Sequence, residues 1–511
     1  MNSDRIRVLA DLSYASMGFC GIAQESRLFF KSIWENGRVD PTGLVFSRGD
    51  AVLGHQFLSN CLFNERIENQ ATYLQSLVDG PPRGTRLDAW KHLVAVVYRR
   101  FFSRRVNSDR LDNEFFWDAV WRNLFARTLS VRDIAISRKC RFLLANLGGS
   151  MLGGRTLFAG RKAKLDSRGF EFAVFHNATP VQLSPETTKL VRYYDLIPGI
   201  RPDLVSDRKS VRNHFRDIRL CRNDSEFVCI SESARADLLA VFPELEPRTH
   251  CIPVVLSDGY YHDPQPNRFA QILDARKSEV AARHPKRFIR GIAASVQTPP
   301  YLIMTSTLEP RKNFVALIRA FEKLIAKHDT DLRLVIVANP GWKYHESTRA
   351  MIPLIKNGRL FHLESATTEE LRILYSQAQA LVFPSLYEGF GYTPLEAMLC
   401  RTPVVVSDIA AHRWVCGDAA LYCDPYDSGS LAKQVESLLF PANAALRDDL
   451  VEKGLRRAGI YSSKIVGDQW LQLFDQLRSR KTGVQRTRAS VPESPIQSEG
   501  DDSQASKANA A

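Results

Sequence analysis

The sequence predicts an α/β protein built from two doubly wound parallel sheets, one in each half of the chain. Three observations carry this expectation. Short apolar runs, bounded by Gly, Pro or polar residues, recur along the 511 residues and are too short for helices. Segments with apolar residues at helical spacing lie between them, and such alternation favours parallel sheets covered by helices. The rhythm fades once, between His262 and Pro300, and then restarts, so the chain divides into two units. Its length suffices for two or three domains with full cores.

In order, Arg5–Asp11 reads as the opening strand. A small-residue loop, Ser13–Gly21, punctuated by Gly18 and Gly21, precedes a helix at Ile22–Trp34. Residues 81–170 interrupt the rhythm and read as a basic, helical insert. Strands follow at Phe170–His176, Lys189–Tyr194 and Glu226–Ile230, the second running into the loop Asp195-Leu196-Ile197-Pro198. Ser231 is placed to cap the next helix, whose Leu238 and Leu239 face inward. Residues 1–262 thus form an amino-terminal domain, and 263–300 a linker with one short helix. The second domain, 301–462, opens with a strand at Leu302–Thr307 and a turn at Leu308–Asn313. Its first helix, Phe314–Lys327, carries a regular apolar stripe. Strands at Leu332–Ala338 and Arg359–Leu363 and a helix at Glu369–Gln377 come next, and helices near Ser430–Leu439 and Leu446–Ala458 end the domain. Ser463–Arg480 is amphipathic, and 481–511 lack any apolar period and read as disordered.

Composition narrows the function classes. Hydrophobic content of 44% and charged content of 24% are those of an ordinary globular protein. The first residues lack the apolar core of a signal peptide, and no apolar run reaches the length of a membrane span. Nine cysteines without a C-x-x-C pair read as reduced, buried thiols in a cytoplasmic protein. The net charge is +13, and residues 81–170 alone hold 19 Lys and Arg against 7 Asp and Glu. Its basic-aromatic clusters, such as Arg99-Arg100-Phe101-Phe102, suit either a solvated face or peripheral contact with an anionic membrane surface. No nucleic-acid-binding motif accompanies them, so nucleic acid is not an expected partner.

The stretch Leu381–Asp408 concentrates the chemistry. A buried strand ends at Pro384, and a loop carries Glu388, Gly389, Phe390, Gly391 and Tyr392. Thr393, Pro394 and Glu396 then match the N-cap, first and third positions of a helix. A Gly loop running into a helix start suits a diphosphate. Arg311 and Lys312 stand in the first turn after another strand, where cations oppose the helix dipole unless an anion binds there. No D-x-D pair follows a strand, so no metal and no cofactor are expected.

The segment EGFGYTPLE is similar to the E-x7-E signature of retaining glycosyltransferases of family 4, whose two Rossmann-like domains face each other across a cleft (the GT-B fold). SYASMGFCG, DLIP, ISESARADLL and LEPRKN resemble further segments of that family, in the same order. The resemblance implies transfer of a hexose, mannose favoured, from a nucleotide sugar, GDP-mannose favoured, to a glycan or lipid-linked acceptor of surface polysaccharide synthesis. By it Glu388, Arg311 and Lys312 are catalytic. Glu396 holds the donor ribose, and Gly389, Phe390, Gly391, Tyr392, Thr393 and Ser306 complete the donor site. Gly18, Gly21, Tyr194, Asp195 and His176 face the acceptor side of the cleft. The carboxyl-terminal helix would cross back to the first domain. Ser306 stands where the family often has Gly, and Tyr194 precedes Asp195 where many members have His. Tyr194 and Ser306 also motivate an alternative, a catalytically silent nucleotide-sugar binder in an assembly complex. His176 is a candidate for the missing imidazole.

Overall fold

The computed structural model describes residues 5–18, 21–46, 63–79, 105–106, 108–145, 162–265, 268–283, 298–328 and 330–489. It contains two large sheets. In the carboxyl-terminal sheet of six parallel strands, Tyr301–Leu308 lies inside. Arg333–Pro340 and Leu360–Leu363 add on one side, and Ala380–Phe383, Val404–Ser407 and Leu421–Cys423 on the other. This is the doubly wound order, in which the chain reverses direction between Tyr301–Leu308 and Ala380–Phe383 and leaves a crevice at their carboxyl ends. The four residues of Ala380–Phe383 are all buried, which explains a continuous apolar run instead of alternation.

The amino-terminal sheet has eight strands, with Ile6–Asp11 paired in parallel to Val39–Phe46 on one side and Phe172–Phe175 on the other. Phe172–Phe175 is likewise buried on both faces. Ser108–Arg110 runs antiparallel at one edge, beside Arg141–Ala145. These two strands correct the reading of 81–170 as an insert. The segment supplies an edge of the sheet, and its helix Asn113–Val120 leads into a π-helical turn, Trp121–Phe125. Trp121, Leu124 and Phe125 are buried because they pack on the sheet, an arrangement that the local charge surplus masked. The cluster at 99–102 lies outside the described residues.

Two other boundaries differ from expectation. Arg268–Arg283, within the stretch read as linker, is a 16-residue helix. Its Phe269, Ile272 and Leu273 are buried, and Phe269 stacks on Tyr301 at 4.7 Å between ring centres, so it belongs to the second core. The final helix spans Ser463–Ala489, past the expected end at Arg480, and residues 490–511 lie outside the described residues. It crosses back as expected: Val466, Trp470, Leu473 and Phe474 are buried in the amino-terminal core, where Phe474 stacks on Phe172. The seven described cysteines are free thiols, and six are buried.

Candidate functional site

The strand order dictates where the site must form. Loops leaving the carboxyl ends of Tyr301–Leu308 and Ala380–Phe383 meet at the crevice, and the amino-terminal domain closes the other side. The resulting cavity measures about 410 Å³ and is lined from both domains.

On the carboxyl wall, Glu388 lies between two cations. Arg311 Nη1 donates to its Oε2 at 2.7 Å and Lys312 Nζ to its Oε1 at 2.6 Å. Burial pushes the Glu388 carboxyl up, but Arg311 and Lys312 outweigh it and hold the group at about 2. Arg311 Nε also donates to Glu309 at 2.7 Å, while burial and the adjacent Arg311 pull Lys312 below its ordinary value. The turn is fixed by Asn313, in the left-handed region at φ 62°, whose side chain donates to the carbonyls of Pro384 and Pro425. The two cations therefore project from a braced turn toward the same space as Ser306, which lines the cavity at the strand end.

The loop Gly389–Tyr392 needs both of its glycines. A Cβ on Gly389 would stand 2.2 Å from the carbonyl oxygen of Tyr194 in the other domain, so only glycine allows that approach. Ser231 Oγ donates to the Gly389 carbonyl at 2.6 Å while accepting from Ala234 N as the expected cap, so one hydroxyl serves both. Gly391 adopts φ 112°, which other residues reach only under strain.

Here the capping expectation fails. The helix starts at Tyr392, Gly391 occupies the N-cap, and no side chain caps it. Thr393 instead reaches the Thr305 carbonyl at 3.4 Å. Glu396, freed from capping, faces the cavity and accepts from Gln24 Nε2 of the amino-terminal domain at 2.8 Å. Burial pushes its carboxyl up to about 7, although Gln24 and Tyr260 donate to it. Phe390 lines the cavity but packs its ring near Trp414 and Tyr461.

On the amino wall, Gly21, Tyr194 and Asp195 line the cavity as expected. Asp195 accepts from Ile197 N at 3.0 Å, and burial raises its carboxyl against the pull of Arg311. Gly18 does not line the cavity; its carbonyl accepts from Arg27 at 2.9 Å, and its left-handed φ of 46° turns the loop. His176 does not line it either. It is buried behind Tyr194, with Nδ1 2.7 Å from the tyrosine hydroxyl, so it positions Tyr194 and offers no direct contact.

Sequence reasoning missed a buried network that joins the walls. Glu25 and Arg192 are both fully buried, and Arg192 Nη2 donates to Glu25 Oε1 at 2.8 Å. Tyr392 of the carboxyl wall donates its hydroxyl to Glu25 Oε2 at 2.7 Å. The signal available was a charge inside an apolar strand, KLVRYY, since a buried charge demands a partner.

A model of the family described as "Glycosyl transferases group 1" matches residues 285–457. That span contains Arg311, Lys312, Glu388 and Glu396, all on turns, loops or a helix at the edge of one continuous sheet. Residues 285–457 are a group 1 glycosyl transferase domain. The chain is 32% identical over 162 residues to O-antigen chain mannosyltransferase B of Escherichia coli, covering 32% of this chain and 42% of that protein. It is 33% identical over 270 residues to the serotype-specific mannosyltransferase WbdA of Escherichia coli, covering 50% of this chain and 30% of the other. The chain thus matches less than half the length of either relative. Its fold resembles that of sucrose-phosphate synthase from Thermosynechococcus elongatus, with a TM-score of 0.55 at 14% identity over 93% of this chain and all of the other. The transferase domain therefore sits in a two-domain GT-B fold. Among the described residues, no helix is long and apolar enough to cross a membrane, and no three His, Cys, Asp or Glu side chains gather as a metal nest.

Proposed function

We propose that the chain is a retaining hexosyltransferase that moves mannose from GDP-mannose to a glycan or lipid-linked acceptor in surface polysaccharide synthesis. The observation that carries this reading is the Arg311–Glu388–Lys312 cluster, set at the carboxyl ends of the switch-point strands. As the sugar leaves a nucleotide sugar, negative charge grows on the diphosphate, and cations held in place beforehand stabilise it without reorganisation. Glu388 holds both cations in register, and together with Glu309 it balances their charge. Ser306 and the Gly389–Tyr392 backbone border the phosphates, and Glu396 accepts from the ribose hydroxyls in place of Gln24. The two mannosyltransferase relatives support mannose as the sugar.

In this reading the reaction runs on the cytoplasmic side and needs no metal. A peripheral membrane contact would use the surface where Phe115 and Val131 stand exposed, within the basic stretch 81–170.

The test is a thermal-shift screen of the purified full chain against GDP-, UDP- and dTDP-sugars, since a ligand of the folded state raises its stability. Transfer to a mannosyl acceptor follows, with the product anomer read by NMR. GDP-mannose is expected to give the largest shift, and the product to keep the α configuration. A β product would overturn retention. Binding of GDP-mannose with no turnover on any lipid-linked acceptor would assign a silent binder instead.

A further inference from the structure

Behind the cleft surface of Tyr194 lies a set of titratable side chains that donor binding does not use. Asp11 ends the strand Ile6–Asp11, His176 follows Phe172–Phe175, and Tyr194 follows Thr188–Tyr193. These are neighbouring parallel strands, so the sheet itself delivers the three residues to its carboxyl edge, where doubly wound folds bind their ligands. Tyr194 lines the cavity, and its hydroxyl lies 2.7 Å from His176 Nδ1.

Packing fixes this pair. His176 is fully buried; Phe29 meets its ring edge-on at 5.5 Å between centres, and the Tyr194 ring lies at 6.3 Å and 29° from parallel. The backbone N–H of His176 donates to Asp11 Oδ2 at 3.4 Å, and the backbone N–H of Ser13 donates to Asp11 Oδ1 at 2.9 Å. The electrostatics are one-sided. Of the main charged groups acting on the Tyr194 hydroxyl, Glu25 and Asp11 are anionic and Arg192 is cationic. Burial and the two carboxylates outweigh Arg192 and push the phenol well above its ordinary value. A tyrosinate is therefore costly here, while Asp11 favours positive charge on the imidazole. Such a hydroxyl takes up a proton only while passing its own to a neighbour, and His176 Nδ1 stands within that reach.

We propose that Tyr194 is a catalytic residue that relays the proton of the acceptor hydroxyl to His176 during transfer. The proposal rests on the functional reading above, which puts the acceptor on this wall. As the acceptor oxygen bonds to the anomeric carbon, the bond from that carbon to the diphosphate oxygen breaks, and the diphosphate keeps its electron pair. The acceptor proton passes to Tyr194 Oη while the tyrosine proton passes to His176 Nδ1, which requires the imidazole to start with its proton on Nε2. Tyrosine stays neutral throughout, and the imidazolium forms beside Asp11. When product leaves, the proton returns through Tyr194 to water. The relay also gives a reason for a tyrosine where the family resemblance leads one to expect histidine: the imidazole is still present, behind the hydroxyl.

The experiment follows single-turnover transfer from GDP-mannose to octyl mannoside by the full chain in mixtures of light and heavy water. Two protons moving together should make the rate a bowl-shaped function of the deuterium fraction; a straight line overturns the relay. This measurement uses the native protein and stands whether or not any variant folds. Tyr194→Phe should lower kcat by about 100-fold or more, the scale of positioned acid–base catalysis, and leave the KM for GDP-mannose unchanged. His176→Asn separates a relay from a mere support, because its amide oxygen can hold the tyrosine hydroxyl in place of Nδ1 but cannot take a proton. It should lose as much kcat as Tyr194→Phe, at an unchanged KM for GDP-mannose. Native kcat in either variant overturns the proposal. Failure of GDP-mannose to bind or react with the native chain counts against the functional reading alone.

Discussion

The two walls of the cleft solve the same problem, holding buried charge beside a cavity, with different materials. The carboxyl wall does it locally: Arg311, Lys312, Asn313 and Glu388 sit on two loops at adjacent strand ends, and ion pairs inside one domain brace them. The amino wall does it at long range. Its Glu25 is paired with Arg192, Arg27 reaches Leu124 and Thr128, and the elements that present these residues are far apart in sequence. Charge on the first wall is poised toward ligand, whereas charge on the second is buried to fix backbone. Changes on the carboxyl wall should therefore fall mainly on turnover, and changes on the amino wall mainly on stability.

The largest expected effect breaks the amino wall. Glu25→Ala leaves the Arg192 guanidinium buried against the neutral carbonyls of Ile252 and Pro253. Removing one partner of a buried pair costs about 3–5 kcal/mol. Urea unfolding of the variant should show a loss of that size. A loss near zero would mean that Arg192 is satisfied without Glu25 and that the contrast between the walls is false.

Next comes its counterpart on the carboxyl wall. If the proposed function holds, Arg311→Ala removes a fixed cation from the donor diphosphate and should lower kcat by about 100- to 1000-fold, the scale of removing one positioned donor. Lys312 and Glu388 still pair between the two loops, so the fold should stand. Steady-state kinetics with circular dichroism separates the two outcomes. A variant that unfolds but turns over normally while folded would reverse the roles assigned to the walls.

Glu396 lies on the boundary, since it belongs to the carboxyl wall but is held by Gln24 of the other. Its carboxyl, ordinarily at 4.5, is raised by burial to about 7. Between those values the folded protein keeps a proton that the unfolded chain has lost, so stability falls as pH rises through the window and is level above it. Glu396→Gln cannot ionise. It should be more stable than the native protein above pH 7, by about 3 kcal/mol, and equal to it below pH 4.5. Unfolding midpoints at both ends of the window measure this, and a difference independent of pH would rule out the buried carboxyl as its source.

The contrast between the walls also governs what could be read without coordinates. Arg311, Lys312, Glu388 and Glu396 were legible because strand, loop and helix start follow one another in the chain, and the strand-helix rhythm gave both sheets. The Thr393 cap misled because Gly391, with its positive φ, let the helix begin two residues earlier than the TPLE pattern implies. The strands inside 81–170 were hidden by a charge surplus that says nothing about an edge position. Gln24, Glu25 and Arg27 carried no local pattern, since their partners lie 372, 167 and 97 residues away respectively. His176 was legible as an imidazole but not as a support, because only the fold places it behind Tyr194.

The smallest effect tests whether the walls are joined at all. Tyr392→Phe keeps the ring in place and deletes one hydrogen bond, from the carboxyl wall to Glu25 on the amino wall. Glu25 Oε2 still accepts from Val255 N at 3.3 Å, and its Oε1 still holds Arg192, so no charge is left bare. The cost should be about 1 kcal/mol, the usual net worth of one such bond. A double-mutant cycle with Glu25→Gln isolates the coupling across the interface from the damage each change does alone. Coupling of comparable size means that Tyr392, at the end of the Gly389–Tyr392 loop, senses the position of the amino-terminal domain through Glu25. Coupling near zero means that the walls only touch, and that closure of the cleft must depend on the Gly389–Tyr194 and Gln24–Glu396 contacts instead.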